Sequence, residues 1–587
     1  MHIVMLEFIQ LLNQRYQAII ASLKKSDPRL VLFQQRVEEL LFAEAFIRKG
    51  NLLDSSPNTP IQIAVIGPTQ VGKSTVANLI LNTQLAKVSP LAGYTVHPQG
   101  FCNQVGLQDC LDLQNYFGRF QQLKQQELSA ERHDCYSLTE NNINSSLLPE
   151  CVFWDTPDFD SIDSDDYKEG VIRTIALADI IVLMVSKEKY ADQSVWEMMS
   201  MIEPFHQPTL ICVNKLVEET EEIIIRSLEE KWQQSRKDSF PETVPLFYQK
   251  QKGMPDWPTS KDKLFFKLKK QVSNKKHFDY QRDLLDKYWH SWMEPVVAEH
   301  EAVRLWCSMV DQNIDQALLE YKRDYLDHPH YYDTFQNALV ELLNLLEIPG
   351  IAGVLTKTRR VLTWPVRKMM AMGKTLVSPE SQEETLLNQI GEHLLISFSD
   401  QLLEKIDSDT KQSRWWKDSY CLVRDQRKEI LAEYEAAVDQ YCISFKQEIG
   451  TTANRLYDKL SEQPFLLNSL RATRITTDAA AIALIIQTGG IGPHDLVITP
   501  AMLSITSLLT ESAIGSYMNR VEVELKQHQL HTVKNDLFIA CLKQALYALP
   551  EQLSDKSRFN ISPELLEKAE LQRNEKKNGI RIFGFDL

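Results

Sequence analysis

Residues 61–81 read IQIAVIGPTQVGKSTVANLIL. The nearly continuous apolar run Ile61 to Ile66 predicts a buried strand, and the apolar spacing from Lys73 onward predicts a helix. Between them, Gly67 to Ser74 fits the pattern Gly-x4-Gly-Lys-Ser/Thr in the strand-to-helix setting that this pattern requires. Glycines let the backbone fold tightly around a phosphate, so that its N–H groups and the following helix N-terminus face the anion. Lys73 is placed to reach the β- and γ-phosphates and Ser74 to ligate Mg²⁺. The stretch therefore predicts a site for a nucleoside triphosphate with Mg²⁺.

Outward from this stretch, strand-like runs recur at Cys151 to Trp154, Ile180 to Val185 and Leu210 to Val213, alternating with helical segments. That rhythm predicts a doubly wound α/β domain with a mostly parallel sheet, assigned to residues 59–275. Upstream, Ile3 to Lys49 has the spacing of two amphipathic helices broken at Asp27-Pro28. Residues 1–58 are expected to pack with the helical region. The opening MHIVMLEFIQLLNQRY carries Glu7 and lacks a basic start and a small-residue cleavage site, so it reads as a helix and not as a signal peptide. Beyond Lys275, helical patterns run through Leu549, interrupted at Pro349-Gly350, Pro365 and Gly489 to Pro493. They predict a large all-α region: a stalk or bundle over 276–470, an apolar hairpin over 471–525, and C-terminal helices and a tail over 526–587.

A chain of 587 residues is too long for one ordinary core. Apolar residues at 43% and charged residues at 24% exclude a disordered chain and a polytopic membrane protein. The formal charge of −15 argues against wholesale binding to nucleic acid or anionic lipid, because the summed field repels a polyanion, so any such contact needs a local basic patch. Nine cysteines without a Cys-x-x-Cys pair predict buried thiols in a reducing compartment. The expectation is a cytoplasmic protein, or one peripheral on the inner face of a membrane.

Three further elements accompany the phosphate-binding loop. The strand ending at Trp154 runs into Asp155-Thr-Pro-Asp158, which puts a carboxylate where such folds hold Mg²⁺ through water. The polar loop Gly93-Tyr-Thr95-Val-His-Pro offers a threonine that could close over the γ-phosphate and complete the Mg²⁺ shell. The strand Leu210-Ile-Cys-Val ends in Asn214-Lys215. Together these motifs make Ile61 to Tyr248 resemble the P-loop GTPase domains of the translation-factor-like class. The resemblance implies GTP and Mg²⁺ as ligands, with Asn214 reading the base edge and Lys215 packing over the ring. Nucleotide contacts then fall on Gly67, Pro68, Thr69, Gln70, Val71, Gly72, Lys73, Ser74, Thr75, Asp155, Asn214 and Lys215. Metal contacts fall on Ser74, Thr95 and Asp155, and the catalytic candidates are Lys73, Thr95 and Gln70.

The sequence departs from that class at three places. Asp158 stands where the class has a glycine whose N–H binds the γ-phosphate. Val217 stands where the class has the aspartate that pairs with guanine, followed by Glu218 and Glu219, one of which could take its place. Phe159 stands where many members have a water-positioning glutamine, and an apolar side chain cannot orient water. Catalysis then needs Gln70, an arginine or potassium ion from a partner, or self-association.

In the helical half, Ile348 to Pro379 holds six basic residues and no acidic one. It reads either as an amphipathic helix on anionic lipid, with Arg360, Arg367 and Lys374 opposite an apolar face, or as a core helix. Ala479 to Leu509 forms two apolar arms about a glycine turn, each short of the roughly 20 residues that span a bilayer. These arms suit a buried hairpin or a tip that dips into one leaflet. Helices before and after such a domain resemble the architecture of the bacterial dynamin-like GTPases, which implies self-association at a membrane, driven by nucleotide. A second reading is a nucleotide-binding scaffold with little hydrolysis that presents its helical half to protein partners. A role in ribosome assembly is disfavoured, because no basic, aromatic-interleaved RNA-binding segment is present.

Overall fold

Successive residues of the apolar strands divide between two cores, as pleating requires of a strand buried on both faces. Ala64, Ile66, Val152, Trp154, Ile181 and Leu183 join one core, and Ile63, Val65, Cys151, Phe153, Val182 and Met184 join the other. The computed structural model describes residues 2–86, 88, 95–129, 131–159, 164–217, 220–247, 255–272, 276–328, 334–345, 382–409, 412–464, 468 and 515–578. The basic stretch 348–379 and the apolar arms of 479–509 lie outside the described residues.

The chain opens with helices α1 (His2–Ile20) and α2 (Arg29–Ser55). They part near Asp27-Pro28, where the Asp27 carboxylate accepts the Arg29 N–H at 2.9 Å. Among the described residues eight strands follow: β1 (Ile61–Ile66), β2 (Gln99–Asn103), β3 (Gln121–Leu123), β4 (Cys135–Glu140), β5 (Cys151–Asp155), β6 (Ile180–Ser186), β7 (Thr209–Leu216) and β8 (Glu242–Phe247). Their order in the sheet is β3-β4-β2-β5-β1-β6-β7-β8, with every junction parallel except β2–β5. The doubly wound, mostly parallel sheet expected from the sequence is therefore present. Between and after the strands come α3 (Lys73–Leu81), α4 (Leu113–Phe117), α5 (Ser164–Leu177), α6 (Gln193–Met201), α7 (Glu221–Ser235), α8 (Leu264–Lys269) and α9 (His277–Tyr321). Helices α3 and α8 cover one face through Val76, Ile80, Leu264 and Phe265. Helices α5, α6 and α7 cover the other through Val171, Ile175, Met199 and Trp232.

The chain divides into two compact units, Met1–Val297 with Arg558–Leu587, and Ala298–Ser557. In the first unit α1 and α2 join the core on the face of α5 to α7. Lys49 of α2 donates to the Ala178 carbonyl at 2.9 Å and pairs with Asp179 at 2.7 Å. Asp179 also accepts the Gln62 N–H at 2.8 Å, which ties α2 to the start of β1. The opening turns of α9 and the helix Pro563–Asn578 complete that layer. Tyr16 donates to the Trp292 carbonyl at 2.8 Å and packs edge-on against Phe33 and Phe559, with ring centroids 5.2 and 4.9 Å away.

The second unit is built of helices around Trp306, Phe398, Trp415, Trp416, Tyr434 and Phe538. At its centre the Glu383 carboxylate accepts hydrogen bonds from Tyr321, Tyr441 and Gln529 at 2.6, 2.8 and 2.8 Å. The donors come from three separate helices, so the buried carboxylate is satisfied by side chains brought together only in the fold. Among the described residues no helix is long and apolar enough to cross a membrane. All nine cysteines are free thiols, and Cys151 and Cys212 are buried in β5 and β7.

Candidate nucleotide site

Open α/β sheets bind ligands at the carboxyl ends of their strands, and the ends of β1, β5, β6 and β7 are neighbours here. The loop from Gly67 to Gly72 leaves β1 between them. Gly67 is required for close approach, because a Cβ there would lie 2.4 Å from the Met184 carbonyl oxygen of β6. Gly72 has φ +91°, a left-handed backbone that turns the loop into α3. Gln70 has φ +63°, with its side chain exposed. Thr156 donates to the Val65 carbonyl at 2.6 Å and fastens the end of β5 to β1. Its type, a small polar residue directly after a strand end, was the only trace of that role in the sequence.

Lys73 opens α3 and is buried, 5% exposed. Its ammonium donates to the Gly67 carbonyl at 2.8 Å and the Pro68 carbonyl at 3.1 Å, and it pairs with the Asp158 carboxylate. Ser74 donates to Asp155 Oδ2 at 2.6 Å, while Asp155 Oδ1 is buried without a hydrogen-bond partner. Burial pushes the Asp155 carboxyl up to about 6; the Ser74 hydrogen bond and the Lys73 charge pull it down, and Asp158 adds to the rise. A hydroxyl and a carboxylate with one orphaned oxygen are the donor set that a hard, oxygen-seeking cation takes, so the pair fits Mg²⁺.

Asn214 and Lys215 end β7 on the other side of the loop. The Asn214 amide donates to the Val71 carbonyl and its oxygen accepts the Lys215 N–H, both at 2.9 Å. Lys215 takes φ +59° and its ammonium returns to the Gln70 carbonyl at 2.8 Å. Residues expected from three of the four motifs are thus brought together at Lys73, Ser74, Asp155, Asn214 and Lys215. Thr95 is half-buried in irregular chain before β2, and no hydrogen bond among the described residues joins it to Ser74 or Asp155. Phe159 packs against the core. Val217 is 57% exposed, and Glu218 and Glu219 lie outside the described residues.

Residues 62–215 match a family described as 50S ribosome-binding GTPase. The matched stretch runs from β1 to Lys215, so the first unit carries a GTP-binding domain of the P-loop GTPase kind. No curated protein matches the chain in sequence. Two solved structures align along most of it, both described as an oligomerised bacterial dynamin pair that provides a mechanism for long-range sensing and tethering of membranes. One is 10% identical, covers 95% of this chain and 94% of its own, and has a TM-score of 0.30. The other is 10% identical, covers 97% and 96%, and has a TM-score of 0.28.

Proposed function

We propose that this protein is a slow, Mg²⁺-dependent GTPase of dynamin-like type that associates with membranes and with further copies of itself. The observation that carries the nucleotide reading is the convergence on one loop of Lys73, the Ser74–Asp155 pair and the Asn214 amide. In this reading the loop N–H groups and Lys73 bind the β- and γ-phosphates, and Asn214 and Lys215 hold the base, with GTP preferred to ATP. Ser74 and Asp155 hold Mg²⁺, with Thr95 as the third metal contact. The metal's contribution is to neutralise charge that builds on the phosphates. Slow turnover is supported by Phe159, which cannot orient water, so that Gln70, a partner or self-association has to supply that group.

The membrane part rests on the basic stretch 348–379, whose six positive charges would each contribute up to about 1 kcal/mol at an anionic surface. Liposome co-sedimentation at low and high salt, with neutral and anionic lipid and with a non-hydrolysable GTP analogue, tests it alongside turnover measurements. Binding through the basic stretch is lost at 1 M salt, where the Debye length is about 3 Å, and after charge reversal at Arg359, Arg360, Arg367 and Lys368. A chain that stays in the supernatant under every condition leaves the second reading, a GTP-binding scaffold with little hydrolysis. That reading is favoured by the Asp158 carboxylate lying on Lys73.

A further inference from the structure

An ammonium group has three N–H donors, and Lys73 has three partners: the Gly67 carbonyl, the Pro68 carbonyl and the Asp158 carboxylate. The first two belong to the loop itself. Its path is fixed at one end by the approach of Gly67 to Met184 and at the other by the bond from Asn214 to Val71. Neither carbonyl can be exchanged without rebuilding the loop. Asp158 is a side chain on the segment that follows β5, so it is the exchangeable partner. Its position is also the one at which the resembling GTPases carry the glycine that meets the terminal phosphate.

We propose that Asp158 is a resident counter-anion of the phosphate-binding loop, which a terminal phosphate must displace from Lys73, and that it thereby sets the choice between nucleoside di- and triphosphate. The inference rests on the nucleotide reading of the loop given above. Two effects act in the same direction. While the Lys73–Asp158 pair is formed, only the remaining fraction of molecules is competent for a triphosphate, and apparent affinity falls by that fraction. Once displaced, the carboxylate faces a polyanion at short range in a partly desolvated site, where like charges repel more strongly than in water. A diphosphate can seat its β-phosphate on the loop N–H groups alone, without calling on Lys73, and so leaves the pair in place. The wild-type chain therefore prefers the diphosphate, and the preference is a difference between two affinities, set by one side chain.

The test is a calorimetric titration of the full chain with GDP and with a non-hydrolysable GTP analogue, both with Mg²⁺, for the wild type, Asp158→Gly and Asp158→Asn. Both variants shift the ratio of affinities toward the triphosphate by about tenfold or more, equivalent to about 1.4 kcal/mol, with GDP affinity kept within about threefold. Asp158→Asn keeps the shape of the side chain and removes its charge, so it carries the test if the glycine variant folds poorly. An unchanged ratio in a folded Asp158→Asn variant overturns the inference. Weaker triphosphate binding in that variant also overturns it, because Asp158 would then serve the metal. If the wild type binds neither nucleotide, the reading of the loop itself fails and this inference with it.

Discussion

The side-chain amide of Asn214 lies directly against Gly72: it donates to the Val71 carbonyl at 2.9 Å, and a Cβ built on Gly72 would fall 2.6 Å from its nitrogen. The residue assigned to the base and the turn assigned to the phosphates therefore touch, and disturbing one moves the other.

Gly72→Ala is expected to break this arrangement from the backbone. An L-residue at φ +91° is strained by roughly 1–2 kcal/mol, and its methyl group would collide with the Asn214 amide. Nucleotide affinity falls by about tenfold or more while the melting temperature drops by only a few degrees. A fluorescent-nucleotide titration that matches the wild type would show that the contact is not needed.

Lys73→Ala should abolish triphosphate binding and also destabilise the fold, because it takes the ammonium away from the Asp158 carboxylate in a site where both partners are largely buried. Breaking a buried pair from one side costs roughly 3 kcal/mol. Removing the second partner as well, in Lys73→Ala with Asp158→Gly, should recover much of that loss without restoring binding. Urea melts of the two variants decide the matter: equal stability would mean that the pair is not formed in solution.

Val217→Asp should be nearly neutral for stability, since the side chain is exposed and surface changes usually stay within about 0.5 kcal/mol. If the loop follows the geometry of the resembling GTPases, the new carboxylate pairs with guanine and the GTP-to-ATP affinity ratio rises by about tenfold. Competition titrations with the two nucleotides measure it. No change would place Val217 away from the base.

Glu169 supplies a pH signature of the fold. Burial opposes its charged form, yet the hydrogen bonds from Arg119 and Arg173 prevail and hold the carboxyl below its ordinary 4.5. A depressed carboxylate adds stability above the unfolded value and loses it as pH falls through the folded one. At neutral pH, Glu169→Gln should cost roughly 2 kcal/mol, leaving buried Arg173 with Glu44 at 3.2 Å as its remaining carboxylate partner. The gap in melting temperature between variant and wild type should narrow below about pH 4.5. A gap that is constant with pH would contradict the pairing.

The strands that sequence reading finds are those buried on both faces. β1, β5, β6 and β7 read as continuous apolar runs because both sides meet helices. β2 and β4 escape that reading, since QGFCN and CYSLTE mix polar and apolar residues. The structure shows why those polar groups are tolerated. Asn103 donates to the Pro149 carbonyl at 3.1 Å, and Gly100 makes room for the Leu138 side chain, which a Cβ would meet at 2.6 Å. In the site, Lys73, Ser74, Asp155, Asn214 and Lys215 are legible because each sits at a strand end or loop whose chemistry is local. The state of Lys73 is not. The sequence suggests a phosphate ligand, whereas the fold buries it and hands it a carboxylate from 85 residues downstream. Nothing in spacing or composition foretells that Asp158 turns inward.

The packing of Tyr16 against Phe559 has a consequence for how the protein is made. A ribosome adding about 5–20 residues each second takes on the order of a minute to pass from one ring to the other. For most of that interval α1 and α2 are out of the exit tunnel with part of their aromatic face waiting for a partner not yet synthesised. The whole of Ala298–Ser557 is translated in between. The first unit is therefore begun first and closed last, and the nascent chain carries a sticky surface for most of its synthesis.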